Sequence, residues 1–342
     1  MNAVMSAVAT PSKVVSQVMQ AAVFRSYGEP QVLAVEERAR PVPAEGEVLV
    51  RVHAALASIG DHHVITGKPY AIRLTPYGGL PGPRNVVPGQ CFSGVVEAVG
   101  AKVNTVKVGE AVFGQDNHGA FAEYVVIRAQ LVVEKPKNAS FEEAAALPWG
   151  ATALDGFRVA GLKPGQRVLV NGASGAVGTW AVQVAKAKGA HVTAVCSARN
   201  KELVRSLGAD EVLDYAVDDF VKGGARFDVV FDLVGNRTNA ECKSVLLPKG
   251  TWIPCFGGGN DWVGPMGRII GAFISFMFSG KKVGQFVTSP NRENFVQLKA
   301  LVEAGKAKPV IERVYPLSEV VQALNHVGEG HVRGQQVVRI AA

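Results

Sequence analysis

A chain of 342 residues exceeds what one hydrophobic core holds, since single cores rarely grow beyond about 250–300 residues, so two domains are expected. Hydrophobic residues make up 48% and charged residues 19%, which argues against extended disorder and for a soluble fold with a full core. The net charge of +7 comes from scattered cations with no basic run and no aromatic interleaving; that pattern argues against nucleic acid and suits an anionic small ligand.

Residues 1–18 (MNAVMSAVATPSKVVSQV) lack a charged start and a sustained apolar core. They read as a disordered extension rather than a signal or transit peptide, with Met19 as an alternative start. The first strand is then MQAAVFRSYG, and Val48–Ala55 and Gly94–Val99 are strand-like, separated by Gly and Pro clusters. From about residue 141 helical runs alternate with short apolar strands, the pattern of a parallel sheet built from βαβ units. Strands are expected at 166–172, 191–197, 211–214, 227–235 and 251–257. Helices are expected at 175–188, 200–207, near 236–247, and at 292–304, before a β-rich tail from Val310. The fold class is therefore α/β: a β-rich domain from residues 19–145 and 309–342, with an α/β domain, 146–308, inserted between them. No apolar run reaches the roughly 18–20 residues of a membrane span. The nearest, Ile269–Phe278, reads as a buried or subunit-interface helix, with a substrate-pocket wall or membrane-surface contact as alternatives. Cys91, Cys196, Cys242 and Cys255 show no CxxC spacing, which argues against a disulfide framework or zinc knuckle and for a reducing cytoplasm.

The strongest local signal is VLVNGASGAVG, with glycines at 172, 175 and 178. It follows an apolar strand and opens an apolar helix, the context that gives a glycine triplet meaning. Gly175 lets the backbone approach a pyrophosphate, Gly178 lets helix and strand pack closely, and the helix N-terminus offers N–H groups to the anion. Ala173 stands at the first glycine position of GxGxxG. The next strand ends in AVCSARNK without a carboxylate for a ribose 2′-hydroxyl. Ser197, Arg199 and Lys201 instead suit a 2′-phosphate, so NADP(H) is expected over NAD(H).

Together with EVLVRVHAA, PGQCFSGVVEAVG, GAFAEYV, AAALPWGATAL, SLGADEVLDY and GHVRGQQVV, these residues resemble the medium-chain dehydrogenase/reductase superfamily from Met19 onward. Within it the chain is similar to the zinc-free branch of quinone oxidoreductases and zeta-crystallin. That resemblance implies a GroES-like catalytic domain, a Rossmann domain, a cleft between them and a homodimer or higher homo-oligomer, with TWIPCF (251–256) as a candidate edge strand for joining subunits. It also implies cofactor contacts at Thr152, at Gly172, Ala173, Ser174, Gly175, Ala176, Val177 and Gly178, at Ser197, Arg199, Asn200 and Lys201, at Tyr215, at Val234 and Gly235, and at Phe256 and Gly257.

Zinc-dependent relatives carry Gly-His-Glu where this chain has Gly89-Gln90-Cys91. Their other metal positions fall at Ser58 and about Pro148. An amide, a hydroxyl and a proline do not form the N/S site of catalytic zinc, and no metal is expected; His53, Asp61, His62, His63 and Cys91 do not suggest a substitute. Without a Lewis acid, hydride acceptors that spread charge through a π system are favoured, such as quinones and enones. Ser58 and Gln90 are candidate hydrogen-bond donors, Tyr70 a candidate general acid, and Asp61 a group that orients the turn. Trp149, beside Pro148, is a candidate wall for a ring-shaped substrate. Cys91 is either a small buried residue or a thiol reachable from the cleft. Two alternatives stay open: reduction of simple aldehydes or ketones (or the reverse alcohol oxidation), and a non-catalytic nucleotide-binding or single-strand RNA-binding scaffold.

Overall fold

The structure, a computed structural model, describes residues 17–255, 260–330 and 332–340. The expected extension lies outside them except at Gln17 and Val18, and Val18 already belongs to the first strand because its backbone pairs with Ala39. The chain opens with β1 (Val18–Val23), β2 (Ala34–Ala39) and the long β3 (Glu47–Ala57), then α1 (Ile59–Thr66). There follow β4 (Cys91–Val99), β5 (Ala111–Gln115), β6 (Tyr124–Arg128), β7 (Val132–Glu134) and α2 (Phe141–Ala146). The middle of the chain alternates as expected: α3 (Ala151–Ala160), β8 (Arg167–Asn171), α4 (Ala176–Ala187), β9 (His191–Cys196), α5 (Lys201–Ser206), β10 (Glu211–Asp214) and β11 (Phe227–Asp232). It continues through α6 (Asn239–Ser244), β12 (Leu246–Pro254), α7 (Met266–Phe276), β13 (Lys282–Val283) and α8 (Arg292–Glu303). The tail is β14 (Ile311–Pro316), α9 (Val320–Gly328) and β15 (Gln335–Arg339).

Two larger sheets divide these elements. The strands of the cofactor sheet run in the order β10-β9-β8-β11-β12-β13 and pair in parallel throughout, the doubly wound arrangement of a Rossmann domain. A parallel sheet needs apolar cover on both faces. Val168 and Val170 pack with Phe157, Trp180 and Phe231 on one face, while Leu169 and Val230 pack with Trp252, Ala272 and Phe276 on the other. The second sheet, β14-β15-β3-β4-β5-β7 with β6 also on β3, takes strands from both chain ends. Its core gathers Val50, Val52, Phe92, Phe121, Tyr315 and Leu324.

Four expectations are corrected. The helix near 236–247 is only Asn239–Ser244, and the strand expected from 251 starts at Leu246. The strand expected over 227–235 stops at Asp232, whose carboxylate caps the turn by accepting the N–H groups of Val234 and Gly235. The tail is not uniformly β: Val320, Ala323, Leu324 and Val327 recur at helical spacing and form the buried stripe of α9. Finally, TWIPCF is not a sheet edge, because Lys282–Val283 pairs with Thr251–Trp252 on its outer side. Ile269–Phe278 lies within and just beyond α7. It buries Ile269, Ala272 and Phe276 but exposes Ile270, Phe273, Ile274, Met277 and Phe278. No helix among the described residues is long and apolar enough to cross a membrane.

Candidate active site

Where β3 gives way to α1, Ser58 adopts extended backbone angles and caps the helix in a reciprocal capping box with Asp61. The Ser58 hydroxyl donates to Asp61 Oδ2 at 2.5 Å, and the Ser58 amide donates to the same oxygen at 3.0 Å. The Asp61 amide donates back to Ser58 Oγ at 3.2 Å. Asp61 therefore orients this turn, as its sequence position suggested. It is also 1% exposed, and its Oδ1 has no hydrogen-bond partner. Burial pushes its carboxyl up to about 7, against the pull of the Ser58 hydroxyl and amide and of the amides of Gln90 and Gly89. A Cβ built on Gly60 would stand 3.2 Å from Gln90 Nε2, 3.3 Å from Trp149 Cη2 and 3.4 Å from Ser58 Oγ, so these three groups converge on one point.

These residues do not fit a catalytic zinc. The Ser58 hydroxyl is committed to Asp61, Gln90 offers an amide and Pro148 no donor, and no group of three metal-ligating side chains occurs among the described residues. His62 and His63 lie on α1 rather than on a strand, with their rings edge to face at 6.2 Å.

Across the cleft, β8 ends at Asn171 and the chain turns at Gly172, whose φ of +92° favours glycine. A Cβ at Gly178 would meet the Gly172 carbonyl oxygen at 2.1 Å, which is the close helix–turn packing that the glycine pattern implied. Gly175 is different: its φ is −79° and the nearest atom to a built Cβ, the Gly172 carbonyl oxygen, is 3.7 Å away, so the space beside it admits a methyl at ordinary contact distance. The first amides of α4 have no intrahelical partner and point a positive dipole end at that space. Asn200 Nδ2 donates to Ser174 Oγ at 2.9 Å, tying the loop after β9 to the turn. From the other domain, the Gly334 amide donates to the Ser174 carbonyl at 2.8 Å.

Between the two domains lies a cavity of about 560 Å³. It is lined at one end by Ser58 and Trp149, along its middle by Gly172, Ser174, Gly175, Ala176, Val177, Gly178 and Val234, and at the other end by Ser197, Arg199, Asn200 and Tyr215. Other sequence candidates lie behind this wall. Ala173, Cys91, Gln90 and Pro148 are buried, and Gly235 sits in the Asp232 turn. Thr152 is the second residue of α3, and Lys201 pairs with Asp218 at 3.9 Å. Phe256 and Gly257 fall outside the described residues. Tyr70 does not line the cavity. Its amide donates to the Asp261 carbonyl at 2.6 Å, and its ring stands edge-on to Trp262, 5.3 Å between centroids. The Ala71 amide donates to the Trp262 carbonyl and Lys68 pairs with Asp261 at 3.1 Å, so this segment links the two domains.

Sequence reasoning missed several wall residues. Asn171 Nδ2 donates to Asp232 Oδ1 at 2.9 Å and to Asn236 Oδ1 at 3.0 Å, and both asparagines line the cavity. Gln335 and Gln336 enter from β15. Each is 1% exposed and has an Oε1 without a partner, while their amide nitrogens are held by the Ala146 carbonyl and by Glu312. The GHVRGQQVV motif flagged the segment, but no local signal assigns it to this wall. Cys255, not Cys91, lines the cavity. Burial, and then the nearby Asp232 charge, push its thiol up to about 12, so it stays protonated and unreactive near neutral pH. Cys91 is 1% exposed, with its thiol raised by burial first and by Asp61 second.

Comparison with known proteins agrees with this geometry. Residues 44–137 match the alcohol dehydrogenase GroES-like domain family, and residues 207–338 match the zinc-binding dehydrogenase family. The chain is 34% identical to the 2-methylene-furan-3-one reductase of Solanum lycopersicum over 335 residues, covering 94% of this chain and 79% of that protein. It is 31% identical to a chloroplastic quinone-oxidoreductase homolog of Spinacia oleracea, covering 94% and 99% respectively. The solved structure of the Coxiella burnetii quinone oxidoreductase superposes with a TM-score of 0.83 at 29% identity, covering 95% of this chain and all of that one. The GroES-like sheet, the glycine-turn Rossmann sheet and the cleft they share thus have one explanation: the chain belongs to the medium-chain dehydrogenase/reductase superfamily, in its quinone-oxidoreductase-like branch.

Proposed function

We propose that the chain is an NADPH-dependent, metal-independent reductase of quinones, enones and related electrophiles. The observation that carries this reading is the single cavity of about 560 Å³ with a glycine-turn wall along it, Arg199 at one end and Ser58 with Trp149 at the other. NADPH, when bound there, supplies the hydride. The protein's own groups then divide the work. The α4 N-terminus receives the pyrophosphate, and Ser197, Arg199 and Tyr215 surround the place of a 2′-phosphate. Trp149 offers a flat apolar wall, and the Ser58 hydroxyl is a polar group beside it. One hydroxyl stabilises a localised alkoxide less than a metal does, so substrates that delocalise the developing charge are favoured. The names of the relatives, a furanone reductase and a quinone-oxidoreductase homolog, support the same substrate class.

The test compares NADPH oxidation with a quinone, an enone and the matching saturated ketone, each with and without chelator. Turnover of the first two, unaffected by chelator, is the expected result. Turnover confined to the saturated ketone, or lost to chelator, would refute the reading.

The chain is further proposed to act as a homodimer, through the exposed apolar face of α7 beside the edge strand β13. We also place it in the cytoplasm, because its four cysteines are all unpaired thiols. Recovery in an organelle fraction would contradict that placement.

A further inference from the structure

Behind the polar end of the cavity stands a group that the hydride-transfer reading leaves unused. Asp61 is fully enclosed, its Oδ1 is unpartnered, and its Oδ2 is held by the hydroxyl of Ser58, which also lines the cavity. A buried carboxylate with one oxygen unsolvated is a poor place for a negative charge and a good place for a proton. While Asp61 is ionised, the Ser58 hydrogen points at it and away from the cavity. Once Asp61 carries a proton, Asp61 can donate to Ser58 Oγ, and the Ser58 hydrogen is released toward a substrate oxygen.

We propose that Ser58 and Asp61 form a two-residue proton relay, in which Ser58 protonates the oxygen of a reduced enone or quinone and Asp61 resupplies Ser58. The inference rests on the reductase reading and names its proton source. Hydride addition to the enone β-carbon places an electron pair on the carbonyl oxygen. That pair bonds the Ser58 proton as the Ser58 O–H bond breaks, and Ser58 Oγ takes the proton of Asp61. The products are the enol, which tautomerises in solvent, and an Asp61 carboxylate that regains one proton from solvent after product leaves. One hydride and one proton enter, and the electron count closes.

The neighbours of Asp61 are few. The amides of Gly89 and Gln90 and the Ser58 hydroxyl and amide favour its ionised form, burial opposes it, and Cys91 is the thiol that feels its charge. His62 and His63 follow it on α1. Their imidazoles are lowered first by burial; Glu29 acts against this at His62, while at His63 the His62 charge adds to it and the Lys68 backbone opposes it. The carboxyl, pushed up to about 7, sets the direction of the pH dependence: the relay is loaded below that pH and empties as pH rises through it.

The experiment measures kcat for an enone from about pH 5 to about pH 9 at saturating NADPH, alongside NADPH affinity by fluorescence. General-acid contributions are typically 10²–10⁴-fold. Asp61→Asn and Ser58→Ala are expected to lower kcat by roughly that range and to abolish the inflection, with NADPH affinity retained, while Ser58→Thr restores part of the rate. Wild-type kcat in Asp61→Asn, or an unchanged inflection in either variant, would overturn the relay. A second readout is independent of turnover: the infrared carbonyl stretch of a protonated carboxylic acid, in the difference between wild type and Asp61→Asn. It should be present at low pH and vanish as pH rises, and its absence at every pH would also overturn the relay. A wild-type protein that binds NADPH but reduces no electrophile would instead sink the reductase reading and the relay with it, whereas turnover without the inflection or the band would sink the relay alone.

Discussion

Arg199 and Lys201 lie two residues apart, yet the structure gives them unequal prospects. Arg199 lines the cavity, and Lys201, outside that lining, pairs with Asp218 at 3.9 Å. Hydrogen bonds to charged groups contribute about 1.5–3 kcal/mol, and tenfold in affinity is about 1.4 kcal/mol. Arg199→Ala should therefore raise the KM for NADPH by roughly 10–100-fold and leave NADH unchanged, with Lys201→Ala having a smaller effect. The ratio of kcat/KM for the two cofactors checks this; equal losses for both would show that Arg199 does not meet a 2′-phosphate. At this scale the sequence was uneven. Ser197 and Arg199, which line the cavity, were singled out by hydroxyl and cation type at the end of a β-strand, and Tyr215, which lines it too, by the family resemblance. Asn171, Asn236, Gln335 and Gln336 were not, because neutral amides carry no local signature and their meeting depends on where strand β8 ends and β15 begins. Tyr70 was read as a candidate acid, but its place is set by segment 260–262, far away in sequence.

Among the elements, α4 shows how the three glycines differ. Gly178→Ala drives a methyl to 2.1 Å from the Gly172 carbonyl, so turn and helix must separate. Overpacking of this kind costs about 1–3 kcal/mol. A lower Tm and weakened NADPH binding are expected together. Gly175→Ala, whose methyl would meet the Gly172 carbonyl oxygen only at an ordinary 3.7 Å contact, should leave Tm near wild type and weaken only NADPH binding. Calorimetry with a cofactor titration separates the two, and a normal Tm in Gly178→Ala would contradict the packing argument. The βαβ alternation made these elements legible, since each strand and helix is short and strongly patterned. α9 was the element that escaped: its apolar stripe has helical period, but it lies between two true strands in a tail that is β-rich on average. α6 was overextended because Thr238 starts it late, accepting the Glu241 amide in a capping box.

At the level of the whole molecule, α7 leaves Ile270, Phe273, Ile274 and Met277 exposed next to the two-residue edge strand β13. This apolar surface beside an edge strand is what the dimer proposal rests on. Replacing Phe273 and Ile274 together with Glu should convert a dimer to a monomer in light scattering at micromolar concentration, with the fold intact by circular dichroism. A wild-type chain that is already monomeric there would remove the dimer proposal. The change from a β-rich to an alternating helix-and-strand stretch was legible from the switch in periodicity near residue 141. What the switch did not reveal is how tightly the domains are stitched, by Gly334 to Ser174 on one side and by Tyr70 and Ala71 to residues 261–262 on the other.

The position of β15 has a consequence for how the fold closes. The strand Gln335–Arg339 sits between β14 and β3, which lies far away in sequence, and the amide just before it holds the glycine turn. Until β15 docks, β3 keeps an open edge on this side and the cleft lacks one wall. Long-range pairing of this sort closes late and leaves an exposed edge while it waits. One short segment thus completes the sheet of one domain and the cleft wall of the other together, so the two halves are finished in a single step.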